Sequence, residues 1–308
     1  MNVLSLFDGM SCGQIALNRA KIKYDNYFAS EIDKYAIQVT MKNYSNTIQL
    51  GDVTKIKSLN LPKIDLLIGG SPCQSFSFCG KRLGMTTSDN IEITSLEQYL
   101  LLKNQQFIFN GQSYLFWEYV RLLKELKPKY FLLENVMMKD YWKNIITDTL
   151  QVNPVMINSN LVSAQERKRL YWTNIDQLSQ PNDKGLYLKD IMEHKVDKKY
   201  NITERFYKKV KGTLSYEKSR NNIRTPEQKS KTLTASGHGI TNSGSTNIKL
   251  SDDYLRIPTP IECERLQTVP DNYTDNVSNR QRYRMLGNGW TVDVITHIFK
   301  KLPYEKLE

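Results

Sequence analysis

The four cysteines of this 308-residue chain (Cys12, Cys73, Cys79 and Cys263) form no CxxC pair and no regular framework. That pattern excludes a disulfide scaffold and reads as the reduced thiols of a cytoplasmic protein. Three scattered histidines (His194, His238 and His297) argue against a zinc site. No apolar run approaches the roughly 18 residues of a membrane span. Met1 to Leu6 is uncharged and strand-like, unlike a signal peptide. Internal repeats and low-complexity tracts are missing too. With 40% hydrophobic and 24% charged residues, the chain instead has the composition of a globular protein, with length for one large core and a smaller attached unit.

Acidic residues are in deficit, giving a formal net charge of +11 that points to a polyanionic partner. The excess is local: Lys189 to Lys231 holds 13 Lys or Arg against 6 Asp or Glu, a net of +7. A solvated basic face would give the same count, but the clustering favours nucleic acid.

The first 175 residues alternate strand-like and helix-like segments, which predicts an α/β sheet with helices on both faces. Strands are expected at Val3–Leu6, Tyr27–Ser30, Asp65–Ile68, Tyr130–Leu133, Val155–Asn158 and Leu170–Thr173, with a further short one before Gly51. Helices are expected at Gly13–Ala20, Asp33–Asn43 and Leu115–Leu126. Beyond about Asn174 the apolar periodicity weakens and Lys, Asn, Ser, Thr and Gly dominate to about Asp253. A compact pattern resumes at Arg256 and ends in an amphipathic helix, Val292–Leu302. The predicted organisation is a catalytic domain over 1–175, a basic insert over 176–255 and a returning segment over 256–308. Met85 to Gln112 is a second polar stretch, read as a surface elaboration.

Phe7-Asp8-Gly9-Met10-Ser11-Cys12-Gly13 follows a strand and opens a helix, where glycine lets backbone approach a ligand and free N–H groups await it. Glu31 ends the next strand, where a carboxylate commonly holds ribose hydroxyls. GxGxxG is not satisfied and no P-loop lysine follows, so a nicotinamide enzyme, a methyltransferase and a plain turn all remain open at this point. Gly69-Gly70-Ser71-Pro72-Cys73-Gln74 then places a thiol after a buried strand, at the edge where open α/β sheets keep their active sites. An isolated cysteine is usually inert, and an unperturbed thiol is mostly protonated at neutral pH, so a nucleophile there needs positive charge nearby. Glu134-Asn135-Val136 ends another strand and can hydrogen-bond a base edge. Gln165, Arg167 and Arg169 alternate onto one side before a further strand, a pattern suited to phosphates and a carbonyl.

Taken in order, these motifs resemble the DNA cytosine-5 methyltransferases along nearly the whole chain. The resemblance implies a Rossmann-like sheet that binds S-adenosylmethionine, plus a smaller irregular target-recognition domain in the basic insert. It implies Cys73 as nucleophile, Glu134 on the N3 and N4 edge of cytosine, Arg169 on O2, and Arg167 supporting the loop and a nearby phosphate. Phe7, Asp8, Gly9, Gly13, Glu31, Ile32, Asp52, Val53, Asn288 and Trp290 are the expected cofactor residues. Gln74, Ser77, Lys81, Gln165, Arg220, Arg224, Thr232 and Thr234 are the expected contacts to double-stranded DNA, with base reading expected over Arg220–Arg224 and Thr232–His238. Thr259-Pro260, Glu262 and Arg265-Leu266-Gln267 resemble the motif that braces the recognition domain. Gly287-Asn288-Gly289-Trp290-Thr291-Val292 resembles the final motif of the cofactor pocket. Ser11 stands where a glycine is common, and Trp290 where a small residue is usual. The sequence leaves open a restriction system, a phage or a solitary modifier, so a cognate restriction endonuclease is one partner such an enzyme could have; neither a metal nor a membrane is expected. Two rivals share parts of the pattern. A tRNA cytosine methyltransferase would carry a Cys-Phe-Thr element, absent here, and a DNA-binding protein with a dead methyltransferase fold would not need every chemical residue present.

Overall fold

The central strands are short apolar runs, bounded by glycine or turn residues, that are buried on both faces. In the computed structural model the described residues are 1–73, 84–213, 217, 222–235, 246–251 and 254–303. The first part of the chain runs β1 (Asn2–Leu6), α1 (Cys12–Arg19), β2 (Asn26–Ser30), α2 (Lys34–Asn43), β3 (Ile48–Gln49), β4 (Leu66–Gly70), α3 (Leu96–Asn104), α4 (Phe116–Leu126), β5 (Tyr130–Val136), α5 (Asp140–Leu150), β6 (Val155–Asn158) and β7 (Lys168–Thr173). These strands form one seven-stranded sheet in the order β3-β2-β1-β4-β5-β7-β6. β7 runs antiparallel to both its neighbours, and the other pairings are parallel.

Because side chains alternate along each strand, the sheet buries two separate cores. Val3, Ala29, Leu66, Ile68, Leu132 and Tyr171 face one, with Ile15, Ala16 and Ile295 from the helices that cover it. Leu4, Leu6, Phe28, Leu67, Leu133 and Trp172 face the other, beneath Tyr99, Trp117 and Ile146. Strand order reverses between β1 and β4, so the loops after these two strands diverge and leave a crevice at their carboxyl ends. Both the Phe7–Gly13 turn and Cys73 lie there.

The basic insert carries α6 (Leu188–Ile191), β8 (Asn201–Ile202), α7 (Glu204–Val210), β9 (Ile223–Arg224), β10 (Asn247–Ser251) and β11 (Tyr254–Arg256). Its four strands pair in the order β8-β11-β10-β9 around a small cluster of Leu255, Ile202, Tyr207 and Ile223. Leu188, Ile191, Leu233 and Ile248 instead join the large core, so the insert is packed onto the first unit. Lys229 fastens the junction, with Nζ donating to the carbonyls of Asn160 at 2.6 Å and Leu186 at 2.7 Å.

The chain then returns through α8 (Pro260–Leu266), α9 (Asn279–Asn288) and α10 (Val292–Phe299). Thr259 and Glu262 form a reciprocal capping box with proline at the first turn, which starts α8 at that point. Glu262 also receives a two-pronged bond from Arg256, both nitrogens at 2.6 Å, with both side chains fully buried. Among the described residues, no helix is long and apolar enough to cross a membrane. Helices α3, α5, α8 and α9 were not expected from the sequence pattern. The Met85–Gln112 stretch contains α3, which buries Leu96, Tyr99 and Leu102.

Candidate active site

One cavity of about 360 Å³ opens at the crevice and runs from the first turn of the chain to the thiol. Of the expected cofactor residues, Phe7, Asp8, Gly9, Glu31, Ile32, Asp52, Val53, Asn288 and Trp290 all line it, and so do Cys73, Glu134, Arg167 and Arg169. The turn after β1 is tightly wound. Phe7, Gly9 and Ser11 have φ of 57, 60 and 64°, left-handed values that two of the three adopt without being glycine. Ser11 caps α1 and accepts a 2.8 Å bond from Gln14 Nε2, which compensates its backbone position.

Glu31 ties this turn to the second strand. Its Oε2 accepts from Gly9 N at 2.8 Å, and Oε1 accepts from Ile32 N at 2.7 Å and Asp33 N at 2.8 Å. Asp52 directs Oδ1 to the amide and hydroxyl of Thr54. Ile32, between the two acids, is 69% exposed on the cavity side. Two carboxylates flanking a bare aliphatic surface suit a ribose and an adenine face, so the donor set fits S-adenosylmethionine. Asp8 lies deeper, accepting from Tyr27 Oη at 2.8 Å. Burial pushes its carboxyl up to about 6, against the lowering effect of the Ser5, Tyr27 and Ser11 hydroxyls.

Gly13, also expected at the cofactor, is not among the residues that line the cavity. A Cβ there would lie 2.5 Å from Tyr27 Oη and 2.6 Å from Ile68 Cδ1, so its smallness serves the packing of α1 on the sheet. Wall residues that escaped sequence reasoning include Gln281, Arg284 and Met285 from α9, Ala36 from α2, Leu115, and Gln112 from the end of the Met85–Gln112 stretch. Arg284 pairs with Asp33 at 3.1 Å, linking α9 to the start of α2 beside the cavity. The apolar signal of α9 is weak, because its inward face includes the buried Arg282, bonded to Glu264 and Thr274.

The thiol end is built by three adjacent strands. Gly70 pairs with Glu134, and Glu134 pairs with Tyr171, so the ends of β4, β5 and β7 lie side by side. Buried Asn135 donates to the Ser71 carbonyl and hydroxyl at 3.3 and 3.0 Å, fixing the turn that presents Cys73. Glu134 is 8% exposed and held from both sides: Arg169 Nε meets Oε1 at 3.0 Å, and Trp290 Nε1 donates to Oε2 at 3.1 Å. The Cys73 thiol is pushed up from its ordinary value, first by burial and then by the Glu134 charge, which outweigh Arg169 and Arg167. Positive charge does stand near the thiol, as a nucleophile there requires, but burial and Glu134 outweigh it.

Arg167 and Gln165 do not reach a DNA-facing surface. Arg167 is 3% exposed and donates to the carbonyls of Leu233 at 2.9 Å, Gly287 at 3.2 Å and Gly289 at 2.9 Å. Burial and the Arg169 charge lower its pKa to about 9, so it remains a cation at neutral pH. Gln165, fully buried, donates to Leu266 O and Gln267 Oε1 and accepts from Leu233 N at 2.7 Å. Both side chains join the insert to the returning segment. A phosphate contact for Arg167 and a DNA contact for Gln165 are corrected accordingly.

Thr232 donates its hydroxyl to the Glu166 carbonyl at 2.6 Å, and the half-buried Thr234 packs with its backbone against Gly287, where a Cβ would come within 2.3 Å. Arg224 is half-buried on β9. Gln74, Ser77, Lys81, Cys79, Arg220 and His238 lie outside the described residues.

A family model described as C-5 cytosine-specific DNA methylase matches residues 1–303. Type II methyltransferase M1.ScrFI of Lactococcus lactis subsp. cremoris is 28% identical over 97% of this chain and 77% of its own length. Orphan methyltransferase M.SPRI of Bacillus phage SPR is 33% identical over 56% of this chain and 37% of its own length. Among solved structures, the S. pombe Dnmt2 methyltransferase superposes with a TM-score of 0.73 at 19% identity, covering 97% of each chain, which shows a common fold. With a model of that family spanning almost every residue around a cavity that joins two carboxylates to a thiol, the chain belongs to the C-5 cytosine-specific DNA methylases and is a DNA (cytosine-5)-methyltransferase.

Proposed function

We propose that Cys73 attacks carbon 6 of a cytosine turned out of duplex DNA, and that the methyl group moved to carbon 5 comes from S-adenosylmethionine held by Glu31, Asp52 and Ile32. The observation that carries this is the continuity of the cavity: the acid pair that suits a nucleoside and the Cys73–Glu134–Arg169 cluster share one wall. Bound S-adenosylmethionine supplies an electrophilic methyl group.

Cytosine carbon 5 is a weak nucleophile until a thiolate adds to carbon 6 and shifts the ring electrons toward it. Glu134 accepts from the N4 amino group and, having taken up a proton from water, passes it to N3 as the thiolate adds, so the negative charge that raises the thiol pKa is neutralised while the base is bound. Deprotonation of Cys73 is thereby coupled to substrate, and its proton leaves to water. Arg169 holds Glu134 through Nε and its own turn through Nη1 on Lys168 O, leaving Nη2 for the O2 carbonyl. Loss of the carbon-5 proton to water then expels the Cys73 thiolate. Extruding the base costs a few kcal/mol, offset by these contacts.

Lysines of the insert meet phosphates and position the duplex, and the protein acts on cellular or phage DNA in the cytoplasm. A cognate restriction endonuclease fits the type II relative, and a solitary role fits the phage relative. Bisulfite sequencing of DNA from cells expressing the protein tests the reaction and gives the site. Protected cytosines at a defined sequence support it, and a map identical to that of empty-vector cells sinks it.

A further inference from the structure

The residue that departs most from expectation in the final motif, Trp290, touches the base pocket as well as the cofactor cavity. Its Nε1–H points at the Oε2 of Glu134, 3.1 Å away, while Arg169 occupies Oε1. The position leaves little slack. A Cβ on Gly70 would lie 2.9 Å from Trp290 Nε1 and 3.0 Å from Glu134 Oε2, so the glycine that ends β4 makes room for this pair. The neighbouring Gly289 carbonyl is fixed by Arg167 and by Gln267 Nε2, so the indole is presented from a restrained backbone.

We infer that Trp290 is a positioning residue for Glu134, a role that presupposes the reaction proposed above: its indole N–H fixes the carboxylate plane that receives the cytosine N3 and N4 edge. A carboxylate gripped at one oxygen can rotate about its last bond. One gripped at both keeps the remaining lone pairs aimed into the cavity. An aliphatic or phenyl side chain at this position could pack against a cofactor but could not make this bond. The ring also lines the cavity, so one residue borders both reactants.

Trp290→Phe keeps the ring and deletes the donor. Its S-adenosylmethionine affinity by calorimetry should stay within about threefold of wild type, while kcat falls about ten- to a hundredfold, the scale of one hydrogen bond to a charged group. The charged or titratable groups facing Glu134 are Arg169, Arg167, Cys73 and Tyr171, all unchanged in this variant. Gly70→Ala, which crowds the same contact while keeping Trp290, should reproduce the kcat loss. Independently of turnover, the Trp290 indole N–H resonance, assigned by its loss in Trp290→Phe, should move upfield in Glu134→Ala. A resonance indifferent to Glu134 overturns the contact even in an active enzyme. Wild-type kcat in Trp290→Phe overturns the role. A responsive resonance in a protein that methylates no DNA would count against the proposed reaction, leaving the contact standing.

Discussion

Replacing Glu31 by alanine removes the acceptor of three backbone N–H groups and the acid beside the cavity's aliphatic wall. Two of the amides are half-buried and that of Ile32 is exposed, so all can recruit water and the stability cost should be about 1 kcal/mol, a melting shift of about 2 °C for a chain of this size. Cofactor affinity should fall further. A hydrogen bond to a charged group contributes about 1.5–3 kcal/mol, which predicts S-adenosylmethionine binding weakened roughly ten- to 150-fold. Glu31→Gln separates the two effects. Its amide oxygen can keep Ile32 N and Asp33 N, but its NH₂ then faces Gly9 N–H, donor against donor, so the turn after β1 loses its tether. That variant should melt near wild type and still lose most of the affinity. Calorimetry at fixed pH and salt, with differential scanning on the same samples, reads both. An unchanged dissociation constant in Glu31→Ala would remove Glu31 from the cofactor site.

Asp8 has a folded pKa of about 6 against 3.8 for the free side chain, so its contribution is fully present below about 4 and is lost as pH rises through 6. Asp8→Asn, which still accepts from Tyr27, should therefore stabilise the cofactor-free protein by about 1–3 kcal/mol at pH 8 and little at pH 4; melts showing no pH-dependent gap would contradict this. Arg256→Met should cost about 3–5 kcal/mol by leaving Glu262 charged and unpaired in the core. Adding Glu262→Leu should recover part of that loss, and a single variant that denatures in urea like wild type refutes the pairing. In a Cys79→Ser background, alkylation of Cys73 should rise with pH along a curve lying above that of an ordinary thiol. The curve should move to lower pH in Glu134→Gln and to higher pH in Arg169→Met. A rate already at its plateau at pH 7 would show a preformed thiolate.

Much of the fold was legible because strands buried on two faces read as apolar runs ending in glycine or a turn, as at Leu66–Gly70 and Tyr130–Val136. Two of the helices missed had no clean stripe, whereas α5 buries Trp142, Ile146 and Leu150 at four-residue spacing, a stripe that the sequence did offer. α3 is apolar on nearly all sides, with Leu96 and Tyr99 buried while Leu101 is 57% exposed, and α9 hides an arginine inward. Motif order located the cavity residues well, because the loops after β1 and β4 diverge where the strand order reverses and line the crevice between them. What spacing could not reveal is which neighbour a side chain meets. Gly13 faces Tyr27 and Ile68 rather than a ligand, and Gln165 and Arg167 turn toward Leu233 and the final motif, contacts separated by 66 residues or more. The thiol's charge state was equally hidden, since it depends on the balance of burial, Glu134 and two arginines.

The central claim is that Cys73 forms a bond to the target base, and intact mass measurement of trapped complexes tests it most directly. The wild-type protein is incubated with S-adenosylmethionine and duplexes carrying 5-fluorocytosine at the methylated site. Fluorine cannot leave carbon 5 as a proton does, so the adduct should persist as a species with the mass of protein plus methylated DNA strand, and peptide mapping should place the link on Cys73. Cys73→Ser should give no adduct while binding cofactor normally. An adduct that survives in Cys73→Ser, or maps to Cys12, Cys79 or Cys263, would contradict the account.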